Sequence, residues 1–138
     1  LPQAVANSFL EWTRAMDYDI TICHPEGYEL SEKYAGGCPV LHSQEEAFQE
    51  ADFIYTKNWS SYSSYGQILN QDLAWTVNAE KMTLSTNAFF MHCLPVRRNM
   101  VVTDAVLDGE KSLILEQARN RTFAAQAVLR ELLINIKP

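Results

Sequence analysis

From Phe89 the chain reads Phe-Phe-Met-His-Cys-Leu-Pro-Val-Arg-Arg-Asn, which sets an imidazole, a thiol, a proline-restricted backbone and two guanidiniums in succession. A thiol beside an imidazole admits two chemistries. In one, His92 takes the proton of a nucleophilic Cys93, which calls for a third group to orient the ring. No such group can be assigned from the sequence. In the other, Cys93 and His92 only position a reacting group. Arg97 and Arg98 suit a carboxylate or phosphate, because a guanidinium donates two parallel hydrogen bonds to an oxyanion. Taken alone, they read equally as solvated ends of a helix. A second candidate is Lys57-Asn58-Trp59, a lysine for an anion and an indole to cover it.

Both segments follow runs that read as buried strands, Phe53–Thr56 and Ala88–Met91. Ligands of open parallel sheets bind beyond the carboxyl ends of strands, where loops converge. Around these runs, Val5, Phe9, Trp12, Ala15 and Met16 recur at helical spacing and predict an amphipathic helix over Ala4–Met16. Ile20–Cys23 and Val40–His42 predict short strands, and Glu29–Tyr34 a short helix. Ser43 with Glu46 is a capping pair opening a helix over Gln44–Glu50. Asn58–Gly66 reads as an exposed loop. Asp72–Leu84 reads as a helix with Trp75 and Met82 inward, and Ser112–Leu115 as a last short strand. Ala118–Ile136 predicts a long helix with Leu129, Leu132 and Leu133 on its inner face. Strand and helix alternating at short intervals is the signature of a doubly wound α/β domain, mainly parallel, with helices on both faces.

The chain has 138 residues, enough for one domain, 1–138, with its own core. Eleven basic residues against seventeen acidic ones give a net charge of −6, which argues against nucleic acid as a partner. No apolar run approaches a bilayer span and no signal peptide is evident, so a cytoplasmic location and no membrane partner are expected. Cys23, Cys38 and Cys93 form no C-x-x-C pair and read as free thiols. With His24 and His42, Cys23 and Cys38 show no ligand spacing, so neither a metal nor another cofactor is expected. Tyr55, Tyr62 and Tyr65 read as packing and loop residues. The chain opens at Leu1 without an initiator Met, and reads as a piece of something longer.

His92-Cys93-Leu94-Pro95 matches the HCLP motif of ornithine carbamoyltransferases. Extended through Val96-Arg97-Arg98-Asn99 and Thr103-Asp104, the segment resembles the N-acylornithine branch, the N-acetyl- and N-succinylornithine carbamoyltransferases. Leu1–Val5, His24–Tyr28, Lys57–Trp59 and Ala118–Arg121 continue the resemblance over nearly the whole chain. It implies a two-domain enzyme of which this is the second, amino-acid-binding domain, inactive alone. The first domain would supply a Ser-Thr-Arg-Thr phosphate loop, and the intact protein would be a homotrimer. The implied reaction carries the carbamoyl group of carbamoyl phosphate to the δ-amine of an acylornithine, in arginine biosynthesis.

By the same resemblance, Lys57 and Arg97 hold the acylornithine carboxylate; Trp59 reads equally as a shield over the site or as a loop residue packed on the core. Leu94 offers its carbonyl to the amine and the carbamoyl group, and Pro95 shapes the turn through a cis bond. Arg121, placed at the start of the last helix, contacts carbamoyl phosphate with Cys93 and Leu94. Cys93 is then a positioning group, with His92 beside it. Some acetyl-type members carry lysine where this chain has Val101, which favours succinyl over acetyl. Ordinary ornithine carbamoyltransferase is the nearest alternative, but it carries a Ser-Met-Gly stretch where Lys57-Asn58-Trp59 stands. A non-catalytic amino-acid-binding relative is the alternative of a different class.

Overall fold

The structure is a computed structural model and describes residues 3–61, 64 and 72–136. Helix α1, Ala4–Ala15, forms where the periodicity predicts it, and Asp17 follows it with a φ of 55°. The face it buries is not the expected one. Asn7, Leu10 and Thr13 point inward, whereas Val5, Trp12 and Met16 are exposed. Thr13 donates its hydroxyl proton to the Leu10 carbonyl at 3.1 Å, so its polar group is satisfied locally and its burial carries little penalty. On the outer side Phe9 and Trp12 pack on each other, and the Phe9 ring lies 4.6 Å from that of Tyr55. Val5, Phe9, Trp12 and Tyr55 line an open apolar cleft there.

Strands β1, Ile22–Cys23, and β2, Val40–Leu41, pair in parallel. Between them lies helix α2, Glu32–Ala35. It starts later than expected because residues 25–29 close a turn of their own. Tyr28 donates its N–H to the Pro25 carbonyl, and the Gly27 N–H meets the Glu29 carboxylate. Helix α3, Gln44–Ala47, has the foreseen cap, with the Ser43 hydroxyl accepting the Glu46 N–H at 3.2 Å.

Strands β3, Phe53–Thr56, and β4, Phe89–His92, form a second parallel pair, with Phe53 opposite Phe89 and Thr56 opposite His92. The two pairs form separate ladders, and the α/β class with parallel strands is as the sequence predicts. The segment expected as one helix over Asp72–Leu84 is broken. A 3-10 turn at Leu73–Trp75 and helix α4, Ala79–Met82, flank an extended Thr76-Val77. Val77 donates to Val101 and accepts from Thr103, both at 2.9 Å. Two β-branched residues favour this extended form, and the tertiary backbone partners secure it.

The core gathers Phe48, Ile54, Val77, Ala88, Phe90, Val102, Val106, Leu107 and Ile114. Phe90 and Val102 are fully buried, and burying each such side chain contributes on the order of 1.5–3 kcal/mol. Helix α5, Asp104–Leu107, supplies Val106 and Leu107. The last expected strand shrinks to a bridge between Ser112 and Phe90, because helix α6, Ile114–Asn135, already begins at Ile114. This helix is about 33 Å long, and Ile114 is its buried residue. Leu129, Leu132 and Leu133, expected on an inner face, are 58%, 59% and 69% exposed. The helix outruns the core that its first turn touches, and none of the described residues covers that face.

Candidate active site

Because Thr56 lies opposite His92, β3 and β4 end together, and the residues that follow, Lys57 and Cys93, leave the sheet side by side. Lys57 is half-buried. Burial lowers its pKa from the ordinary lysine range, partly opposed by the neighbouring Cys93 sulfur. The Lys57 ammonium donates to the side-chain carbonyl of Gln3, whose amide donates in turn to the Ser60 carbonyl. Gln3 is 5% exposed and adopts a φ of 60°. A non-glycine residue in that left-handed region costs on the order of 1 kcal/mol. Its contacts to Lys57 and Ser60 offset that cost and fix the residue that opens α1.

Beyond β4 the backbone turns through a cis Leu94-Pro95 bond. Asn58 reaches across to this turn, donating its amide to the Pro95 carbonyl at 2.8 Å and accepting the Arg97 N–H at 3.2 Å. Val96 packs against the core, while Leu94, Pro95 and Arg97 are exposed. The two arginines then part company. Arg98 is bound by Asp104 at 2.6 Å and by both oxygens of Asp108 at 2.8 Å. Those bonds, Asp108 first and then Asp104, raise the Arg98 pKa; Arg98 lowers that of Asp108, while Asp104 is lowered first by Asn99 and then by Arg98. Asn99 completes the network through the Asp104 side chain and N–H. The cationic cup suggested by adjacent arginines therefore rests on Arg97, which has no carboxylate partner among the described residues.

His92 is 1% exposed, and neither ring nitrogen has a hydrogen-bond partner among the described residues. Burial, aided by the charge of Lys57, lowers its pKa against a weaker opposing effect of the Cys93 backbone. Burial thus favours the neutral imidazole. Its backbone N–H donates to the Gln117 side chain at 3.1 Å. Tyr55 meets both Cys93 and Gln117, and burial first, then Cys93, holds its proton well above the usual tyrosine range.

The model of the family described as aspartate/ornithine carbamoyltransferase, Asp/Orn binding domain, matches residues 2–132. The chain belongs to this family. The N-succinylornithine carbamoyltransferase of Bacteroides thetaiotaomicron is 53% identical over 135 residues, covering 96% of this chain and 42% of that protein. The N-acetylornithine carbamoyltransferase of Xanthomonas campestris is 33% identical over 156 residues, covering 100% and 46%. A crystal structure of acetylornithine transcarbamylase complexed with acetylcitrulline superposes with a TM-score of 0.83 at 33% identity, covering 94% of this chain and 44% of that one. The chain thus spans less than half the length of these relatives.

Within this carbamoyltransferase domain, the structure brings Lys57, His92, Cys93, Leu94, Pro95 and Arg97 to one sheet rim. Arg121 is less closely tied to it. It lies about two turns into α6 rather than at the helix start, because the helix begins at Ile114. The favourable field of a helix N-terminus fades within the first turn, so it does not reinforce Arg121. Arg121 does share a helix face with Gln117, four residues earlier, which bonds to His92. Trp59 is half-buried; Tyr62 and Tyr65, expected as packing and loop residues, lie outside the described residues.

Gln3, Asn58, Tyr55 and Gln117 also belong to the rim, although residue type and spacing did not single them out. Asn58 lies inside the Lys-Asn-Trp triplet and Gln3 inside the Leu1–Val5 stretch of the resemblance, whereas Tyr55 was read as packing and Gln117 carried no signal. Cys23 is separate, a thiol pushed up to about 11 by burial and then by Glu45. The Nδ1 atoms of His24 and His42 bond to the backbone carbonyls of Pro25 and His24 at 2.8 Å.

Proposed function

We propose that the intact protein transfers the carbamoyl group of carbamoyl phosphate to the δ-amine of an N-acylornithine, giving N-acylcitrulline and phosphate in arginine biosynthesis. This chain is then its amino-acid-binding domain, and a second domain carries the Ser-Thr-Arg-Thr phosphate loop. The enzyme is a cytoplasmic homotrimer. The observation that carries the reading is the rim itself: Lys57 leaves β3 beside Cys93, while Arg97 is tied to the same rim through Asn58.

A carboxylate bound between Lys57 and Arg97 sends the ornithine side chain toward Cys93 and Leu94. The Leu94 carbonyl accepts a hydrogen bond from the attacking amine and orients its lone pair at the carbamoyl carbon. Cys93 lines the place where the tetrahedral oxyanion develops, with the buried His92 behind it, and Arg121 supports the departing phosphate. No covalent intermediate on Cys93 is needed, and Trp59 limits the access of water. An acylated α-nitrogen bears no charge, which suits a rim that offers Lys57 rather than a carboxylate. Val101 is 1% exposed, so where some acetyl-type members carry lysine this chain has a buried apolar residue, in keeping with succinyl over acetyl.

The test is product formation by the intact protein from carbamoyl phosphate with N-succinylornithine, N-acetylornithine or ornithine. Turnover highest with the succinyl substrate is expected. Turnover confined to free ornithine would replace the reading with ordinary ornithine carbamoyltransferase. Binding of acylornithine without any product would identify a non-catalytic relative.

A further inference from the structure

Resting on that reading, we infer that Asn58 is a positioning residue that sets the separation of the two carboxylate-binding cations, acting through Arg97 rather than on substrate. Lys57 and Arg97 come from different strand ends, forty residues apart in the chain. Lys57 is held on the β3 side by Gln3. On its downstream side Arg97 is held by its own turn, where its carbonyl accepts the Val101 N–H at 3.0 Å. Upstream, from Leu94 to Arg97, the turn is tied to β3 by the two bonds of the Asn58 side chain. Val96 adds packing, but packing permits sliding where hydrogen bonds fix direction.

The chemistry of the amide suits this task. Its oxygen takes the Arg97 N–H and its nitrogen serves the Pro95 carbonyl, so one planar group reads a donor and an acceptor two residues apart. Because Asn58 directly follows Lys57, any shift of the β3 end moves both cations together. A carboxylate held by two cations is sensitive to their spacing, and misplacement by about 1 Å can cost a hundredfold in rate.

The experiment is a double-mutant cycle in the intact enzyme. Asn58→Ala is expected to raise the KM for acylornithine by roughly tenfold with a smaller change in kcat, the effect of losing two modest hydrogen bonds. Asn58→Ser serves if the alanine variant does not fold. In an Arg97→Met background the same change should raise KM less than threefold, because the group it positions is gone. Hydrogen exchange at the Arg97 amide should quicken in the Asn58 variants. Equal effects in both backgrounds, or an unchanged KM, would overturn the inference while leaving the activity standing. A wild-type enzyme that carbamoylates no acylornithine would instead sink the proposed function, and this role with it.

Discussion

Arg97 and Arg98 are neighbours of the same type, and under the proposed reaction only Arg97, which no described carboxylate engages, is free to take a substrate carboxylate. Replacing Arg97 with Met removes a guanidinium that has no carboxylate partner among the described residues. A hydrogen bond to a charged group contributes about 1.5–3 kcal/mol net. Because Arg97 is exposed and partly screened, the low half of that range applies, a rise in KM for acylornithine of roughly ten- to fortyfold. Replacing Arg98 breaks its bonds to Asp104 and Asp108. Those are exposed, salt-screened pairs of small net worth, so KM should stay within about threefold. The assay is the initial rate of ureido product formation by the intact enzyme, with acylornithine varied at saturating carbamoyl phosphate. If Arg98→Met costs as much as Arg97→Met, or if Arg97→Met is neutral, the assignment of the carboxylate to Arg97 is wrong.

Lys57→Met should raise the same KM about tenfold, the loss expected for a charged hydrogen bond at a half-buried site. Burial lowers the Lys57 pKa, so the wild-type KM should climb with alkaline pH before the ordinary lysine range is reached. Lys57→Arg, which stays charged, should flatten that limb; an unaltered pH profile would count against Lys57 as the titrating group. The pKa of His92 is also lowered by burial, so just below the ordinary histidine value the unfolded chain binds more protons than the folded one. Stability therefore rises with pH through that window and is lost as pH falls. Urea unfolding of wild type and His92→Gln at pH 7 and pH 5 should show the wild type losing more, by at most about 1.4 kcal/mol per pH unit. Phe90→Ala should destabilise by about 3–5 kcal/mol through a core cavity. Leu129→Ala in the 138-residue chain should change stability by less than about 0.5 kcal/mol, since its site is exposed. A large loss at Leu129 would mean that α6 is covered.

Local patterning was enough for β3, whose bounds Phe53–Thr56 are as read, and for the Ser43 cap. In both, the determining interactions are between residues close in the chain or in a continuous apolar run. Elements whose partners lie far away were misread. Thr76-Val77 is extended because Val101 and Thr103 take its backbone groups, and a helical periodicity over Asp72–Leu84 cannot register that competition. Likewise α1 turns Val5 and Trp12 outward and α6 exposes Leu129, Leu132 and Leu133. A period shows that a helix has an apolar face, but not what that face meets.

The α/β class and the resemblance to the carbamoyltransferase family were legible in the residues alone, and so was the placing of Lys57 and His92–Arg97 at or beyond candidate strand ends. Strand propensity and the order of residues after a strand are properties of the chain alone. Tertiary structure decided which cation is free, because Asp104 and Asp108 reach Arg98 only after α5 folds back. It also decided that Asn58 and Gln3 frame the site, because a hydrogen bond spanning forty or fifty residues depends on strand register, and register is set by the packing of the whole core.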